Sequence, residues 1–292
     1  MTAWIRRGPV AAWGLGTLLV LPGPGLAAQD EGRPATRVES RTEPLAFGAK
    51  LWVKNRNGGI TVSGWDKEEV ALTAEIRDSD QRRIELAWQR VGPDLDIAAL
   101  PQQAHWSLGL GAVPTPWCWL TLNVPHRLLG QFRTTNGPIR VEAVVGFVRC
   151  ETVNGDITLE DIAGEVVGET SNGNLEARGL HARIRGGTAN GRIVLENVDG
   201  QVRVETTNGF IKARNLDGWG EGISLESTNG AIDLELGRAT GELQAETANG
   251  TIRIHVPGCQ VLENGKYRVR VRVPGRNQKI TLASTNGSIQ VH

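Results

Sequence analysis

The chain has 292 residues, with 32 Lys+Arg against 32 Asp+Glu, so its formal charge is zero and no basic excess argues for a nucleic-acid partner. Its 37 glycines, beside only 4 Phe, 1 Tyr and 1 Met, suit a turn-rich β protein with an aliphatic core rather than a helical enzyme. Three cysteines and five scattered histidines show no metal-type spacing and no Cys–His nucleophile, so neither a metal nor a cofactor is expected.

Residues 1–28 read as an export signal: Arg6-Arg7, an apolar stretch from Val10 to Leu21, then the small-residue site Gly25-Leu26-Ala27-Ala28. The stretch is short and interrupted by Gly14, Gly16 and Pro22, so the alternative of an uncleaved anchor is the weaker one. Removal of the signal leaves no membrane span and places the protein in the periplasm or at the cell surface. Residues 29–45 are polar and carry Gly, Pro and charges, as a linker does. A single β domain is expected over 46–292.

Alternation of apolar and polar residues begins at Leu51-Trp52-Val53 and Ile60-Thr61-Val62, a first unit around Asn57-Gly58. Strands within about 77–117 miss the later spacing and read as an excursion that caps the first coils. Leu120 to Val124 then leads into a regular array. Thr-x-Asn-Gly-x-Ile or Leu recurs at Asn136-Gly137, Asn154-Gly155, Asn172-Gly173, Asn190-Gly191 and Asn208-Gly209, a period of 18 held four times. Spacing loosens at Asn229-Gly230 and Asn249-Gly250, and Asn286-Gly287 stands 37 residues further on, about two coils. The interval 257–277 reads as a second excursion. A fixed period of this size marks a stacked repeat.

Aligned on the Asn, apolar residues stand three after it (Ile139, Ile157, Leu175, Ile193, Ile211), five after it (Val141, Leu159, Leu195) and six before it (Val148, Val166, Ile184, Val202). Charged residues lie between them. Each unit therefore holds two short strands with one buried face, joined by Asn-Gly at one end and turned by Gly146, Gly164, Gly200 and Gly218 at the other. No amphipathic helix exists to cover a wide sheet. The fold class is all-β, a flattened parallel solenoid of two sheets with one 18-residue unit per coil and an N-terminal β excursion. Its Asn side chains stack into a ladder worth on the order of 1 kcal/mol per link, and Gly is expected to supply a left-handed conformation beside each Asn. The chain stops at His292 directly after a repeat strand, an open coil through which self-association is expected.

The Val124-Pro125 lead-in, the Thr-x-Asn-Gly-x-Ile units and the Gly-x-Val spacing between coils resemble a bacterial family of exported β-solenoids, the putative adhesins or toast-rack domain of unknown function, over about 47–292. The resemblance implies a cell-envelope location and a binding or scaffolding role, with no established ligand or catalytic residues.

Two features invite a functional reading. A Glu column three before the Asn (Glu151, Glu169, Glu205, Glu226, Glu246) could hold calcium or an acid pair for cutting polysaccharide. Compensation by Arg149, Arg185 and Arg203 on the same face makes it a solvated surface instead, since the residue repeats and no one site stands out. Trp117 and Trp119 share one face of their strand and point away from the interior, either covered by the excursion or exposed as a platform for sugar rings or a protein. Cys150 is a small core filler, while Cys118 and Cys259 could bridge the two excursions. The sequence thus favours a non-enzymatic envelope protein that binds a surface polymer or protein. An enzyme acting on polysaccharide, with Asp156, Glu160 and Asp161 as nearest candidates, and a self-assembling structural module are the alternatives.

Overall fold

The computed structural model describes residues 36–79, 82–102, 115–220 and 222–292. The export signal, residues 29–35 of the linker and the middle of the first excursion, with His105 and Trp106, lie outside the described residues.

Every described element is a strand or turn. Two stacks of parallel strands face each other across a core of Ile, Leu, Val and Ala, most of them fully buried. The first sheet runs through Asp94–Pro101, Lys50–Asn55, Arg127–Arg133, Val145–Asn154 and Ala163–Asn172, then the second half of Leu175–Thr188, Val202–Thr206 and Ile223–Ser227. The second runs through Trp117–Pro125, Ile60–Trp65, Ile139–Glu142, Ile157–Glu160, the first half of Leu175–Thr188, Ile193–Asp199, Ile211–Asp217 and Ile232–Glu235. Register is strict: Glu151 lies beside Glu169, Asn154 beside Asn172, and Ile157 beside Leu175. This is the expected two-sheet solenoid.

The corner chemistry explains the motif. Nine asparagines form one ladder, in which each Nδ2 after that of Asn57 donates to the Oδ1 of the preceding coil at 2.7–2.9 Å. The Thr or Ser two before each Asn turns inward and donates to the glycine carbonyl one coil back: Thr152 to Gly137 at 3.0 Å, Thr188 to Gly173 at 2.8 Å, Ser227 to Gly209 at 3.1 Å. In the first coil Asn55 takes that place and donates to the Gly58 and Cys118 carbonyls. The expected left-handed glycine is corrected. Only Gly58 and Gly137 of this column have positive φ. At Gly155, Gly173, Gly191, Gly209, Gly230, Gly250 and Gly287 a Cβ would instead overlap the glycine carbonyl oxygen of the neighbouring coil, so close stacking excludes a side chain. Left-handed backbone occurs at the opposite corner, in Ala143, Asp161, Gly179, Asn197 and Asn215. There a further buried column of Val144, Ile162, Leu180, Val198 and Leu216 fills the edge of the core.

Both ends depart from the sequence reading. Residues 36–44, read as linker, form the strand Thr36–Pro44, antiparallel to Glu69–Arg77, which in turn pairs antiparallel with Trp117–Pro125. Its charged alternation is that of an edge strand with little to bury. Ile84–Val91 pairs antiparallel with Asp94–Pro101 at the edge of the first sheet, so the described strands of the excursion extend that sheet, while the second is extended by Thr36–Pro44, Glu69–Arg77 and Trp117–Pro125.

At the far end the coils are not in chain order. Gln278–Ser284 lies between Ile223–Ser227 and Gly241–Thr247, parallel to both. Ile289–Val291 lies between Ile232–Glu235 and Ile252–Ile254. The ladder accordingly runs Asn229, Asn286, Asn249. The strand that follows the last motif is therefore an interior coil, and the expected open end at His292 is corrected. The second excursion folds as an antiparallel pair, Gln260–Asn264 and Arg268–Val273, over Gly241–Thr247. Gln278 fastens the inserted segment at its entry, donating to the Gly218 carbonyl and accepting from the Thr240 amide at 3.2 Å. Arg276 adds a bond to the buried Asp217 at 3.2 Å.

Candidate functional site: a trough along the first sheet

Parallel stacking in register places equivalent side chains in rows, and two outer rows of the first sheet border an open trough of about 1500 Å³. One row is the residue three before each Asn: Arg133, Glu151, Glu169, Gly187, Glu205, Glu226, Ala283 and Glu246, closed by Arg268 of the capping strand. Those eight steps of about 4.8 Å give a length of roughly 38 Å. The other row is small or hydroxylated at most levels, with Thr135, Ser171, Ala189, Thr207, Thr228 and Ala248. Tyr267 and Glu263 stand at the capped end.

The Glu column is neither uniform nor uniformly compensated. Glu151 accepts from both Arg133 and Arg149, and Arg149 reaches Glu169 at 3.6 Å. Burial alone would raise the Glu151 pKa, but the hydrogen bonds from Arg149 and Arg133 outweigh it and hold the carboxyl below the ordinary 4.5. At the other end Arg268 pairs with Glu246 at 2.6 Å. Between them the row breaks twice, at Gly187 and Ala283, where the repeat has no carboxylate. Arg185 and Arg203, neighbours on adjacent strands beside the Gly187 break, are exposed and have no side-chain partner among the described residues. The expected compensation of the column by these two arginines is thus corrected: carboxylate and guanidinium are offset along the stack, because Glu169 is already engaged by Arg149 and position 187 is empty of a side chain. The gap in the column was readable at Gly187; the absence of a partner for Arg185 depends on side-chain placement.

The outer face of the second sheet contrasts with the first. Arg140 bridges Glu142 and Glu160; Arg178 bridges Glu160, Glu176 and Glu196. Its charges are tied together along the axis. Asp156, Glu160 and Asp161 do not converge on this face. Asp156 accepts from the Asn174 amide at the Asn corner, at 2.7 Å. Glu160 is held by arginine, and Asp161 sits in the left-handed turn at the opposite corner, its carboxylate beside Gly179. Three strand residues lie between Asp156 and Glu160, four steps or about 13 Å of chain. No group of three His, Cys, Asp or Glu among the described residues could hold a metal ion.

Trp117 is half-buried and Trp119 is 42% exposed. Both lie on the outside of the second sheet, across the Asn corner from the trough. The Trp119 indole lies over Gly59, where a Cβ would overlap its ring. Other indoles near the N-terminal end carry cations: Arg41 stands over Trp88 at 4.7 Å and Lys67 over Trp65 at 4.5 Å. Cys118 and Cys150 are buried and Cys259 is half-buried, and all three are free thiols. The suggested bridge between the excursions does not form, since Cys118 belongs to one end of the stack and Cys259 to the other. Burial pushes the Cys118 thiol up to about 12 and raises that of Cys150 further, so neither is a nucleophile at neutral pH.

No helix among the described residues is long and apolar enough to cross a membrane. No curated protein matches the chain. Among solved structures it is similar to a "putative lipid binding protein" from Parabacteroides distasonis ATCC 8503, at 13% identity and a TM-score of 0.51, covering 90% of this chain and 98% of that one. A "putative adhesin" from Bacteroides fragilis NCTC 9343 matches at 12% identity and a TM-score of 0.28 over 89% and 99% of the two chains. A "putative cell adhesion protein" from Clostridium sporogenes ATCC 15579 matches at 10% and 0.28 over 87% and 99%. At 13% identity the likeness to the first of these extends to the fold alone. A family model matches residues 50–292, which hold the whole Asn ladder and every described strand but Thr36–Pro44, and the chain therefore belongs to the Toastrack DUF4097 family.

Proposed function

We propose that the protein is an exported, non-enzymatic binding protein of the cell envelope, whose rigid stack presents the trough of the first sheet to an extended surface polymer or partner protein. The observation that carries this reading is the trough itself. It is continuous across the array, lined by repeated polar side chains, and built on backbone fixed by two ladders of hydrogen bonds. Such a surface meets a long ligand at many equivalent points without rearranging. Catalysis at one point requires a carboxylate pair or nucleophile held apart from its neighbours, and the candidates for that role are dispersed. Export rests on the signal-like residues 1–28.

A binding screen of residues 29–292 against glycans and cell-wall polymers tests the reading, beside a Thr207→Trp/Thr228→Trp variant whose indoles obstruct the trough. Binding by the parent and its loss in the folded variant supports the trough; retained binding in the variant removes it from consideration. The exposed Trp119 indole favours a second reading, an aromatic platform on the opposite face. Loss of binding in a Trp117→Ala/Trp119→Ala variant, with the trough variant unaffected, would move the site there.

A further inference from the structure

We propose that Arg185 and Arg203 form an acid-recognition point at the centre of the trough, and that the ligand is an acidic polysaccharide whose carboxylate or sulfate bridges the two guanidinium groups. The inference rests on the trough being a binding surface, and names the chemistry that this surface takes.

Arg185 and Arg203 occupy the same column on adjacent strands, about 4.8 Å apart at the backbone. Their flanking positions in that column are Val167 and Ser224, so no acid neighbours either along the row. The carboxylates one column over are engaged or displaced. Glu169 holds Arg149, Glu226 accepts from the Ser224 hydroxyl at 3.0 Å, and Glu205 leans across the Gly187 break, its Cγ 3.2 Å from where a Cβ there would stand. Two adjacent like charges with no ion-pair partner among the described residues repel each other, and an anion placed between them relieves this while accepting charge-assisted hydrogen bonds from both. Gly187 contributes no carboxylate of its own, and the Glu205 side chain reaches over it, with Oε1 3.9 Å from where a Cβ there would stand.

A sugar acid fits this point better than an acidic peptide. The backbone beneath the trough is fully used in sheet pairing on both sides, so an added strand finds no edge to pair with. Carboxylates at Glu205 and Glu226 and hydroxyls at Ser171, Thr207 and Thr228 suit the many hydroxyl donors and acceptors of a sugar chain.

Affinity electrophoresis of residues 29–292 through gels containing polygalacturonate, dextran sulfate or neutral dextran tests the proposal. Retardation by an acidic polymer and not by dextran is expected, weakened about tenfold or more in Arg185→Gln/Arg203→Gln. The two acidic gels tell carboxylate from sulfate. Gly187→Glu, which keeps both arginines but adds a carboxylate in the column beside them, is expected to weaken retardation comparably, with its fold checked by circular dichroism. Unchanged retardation in the double variant overturns the proposal. Retardation by neutral dextran alone overturns it and leaves the trough as a binding surface; no retardation in any gel, with no hit in the wider polymer screen, removes both.

Discussion

Each Asn-Gly corner after the first is fixed by three side-chain facts at once: an amide in a ladder, a hydroxyl on the preceding carbonyl, and a glycine with no room for a methyl group. Gly191→Ala drives a Cβ into the Gly173 carbonyl oxygen and is expected to cost on the order of 3 kcal/mol. Gly258→Ala, in open space at φ 74°, should cost about 1 kcal/mol. Paired urea titrations check the difference. Thr206→Val keeps the shape but strands the Gly191 carbonyl, which accepts from Thr206 at 3.0 Å, and should cost about 1–3 kcal/mol by the same measurement. Glu151 supplies a pH signature. Its carboxyl titrates lower in the folded chain than its ordinary 4.5, so its ionisation stabilises the fold above that value and the contribution disappears as pH falls through the lower folded value. Glu151→Gln should therefore lower stability at pH 7 and flatten its decline between pH 5 and pH 3, read from denaturation midpoints across that range. The recurrence of Thr, Asn and Gly was legible in the sequence, and so was the amide ladder. The reason for Gly was not, because a left-handed glycine and an extended one pressed against a neighbour leave the same letter.

At the scale of strands, the periodic columns disclosed which residues face the core and where each chain reversal falls. They did not disclose which strand lies beside which. Every coil offers the same edge to its neighbours, with Ile232, Ile252 and Ile289 equivalent in register, so spacing alone puts Asn249 next to Asn229. The second excursion decides otherwise by folding over Gly241–Thr247 and delivering Gln278–Ser284 to its other side. Leu282, fully buried in the inserted strand, should cost about 2–5 kcal/mol when replaced by Ala. Deletion of 278–292 bares the facing edges of Ile223–Ser227 and Gly241–Thr247. Amide hydrogen exchange is expected to accelerate in both strands while the coils from Asn136 to Asn190 keep their protection; unchanged protection throughout would mean that the two coils close directly on each other. The strand Thr36–Pro44 escaped the sequence reading for a related reason: an edge strand with polar residues on both sides has the composition of a linker.

As a whole the molecule is a one-dimensional stack, in which each coil touches only its neighbours and stability is close to a sum over coils and interfaces. Excision of 173–190 joins Asn172 to Gly191 and restores the motif as Thr170-Ser171-Asn172-Gly191-Arg192-Ile193. The shortened chain should fold with its ladder intact and lose about 4.8 Å of length, measurable by circular dichroism and small-angle scattering; loss of cooperative unfolding would show that the coils are not interchangeable. The trough persists through such a change as a geometric property of the stack, while the point marked by Arg185 goes with the excised unit. The inserted coil also sets a clock. A chain emerging from a ribosome or a secretion pore presents the coils of Asn229 and Asn249 before the piece that fits between them, so these two must wait apart, or part again, until it arrives. The array from Asn136 to Asn208 can grow coil by coil as it appears, whereas the far end stays unsealed until the wedge has passed through.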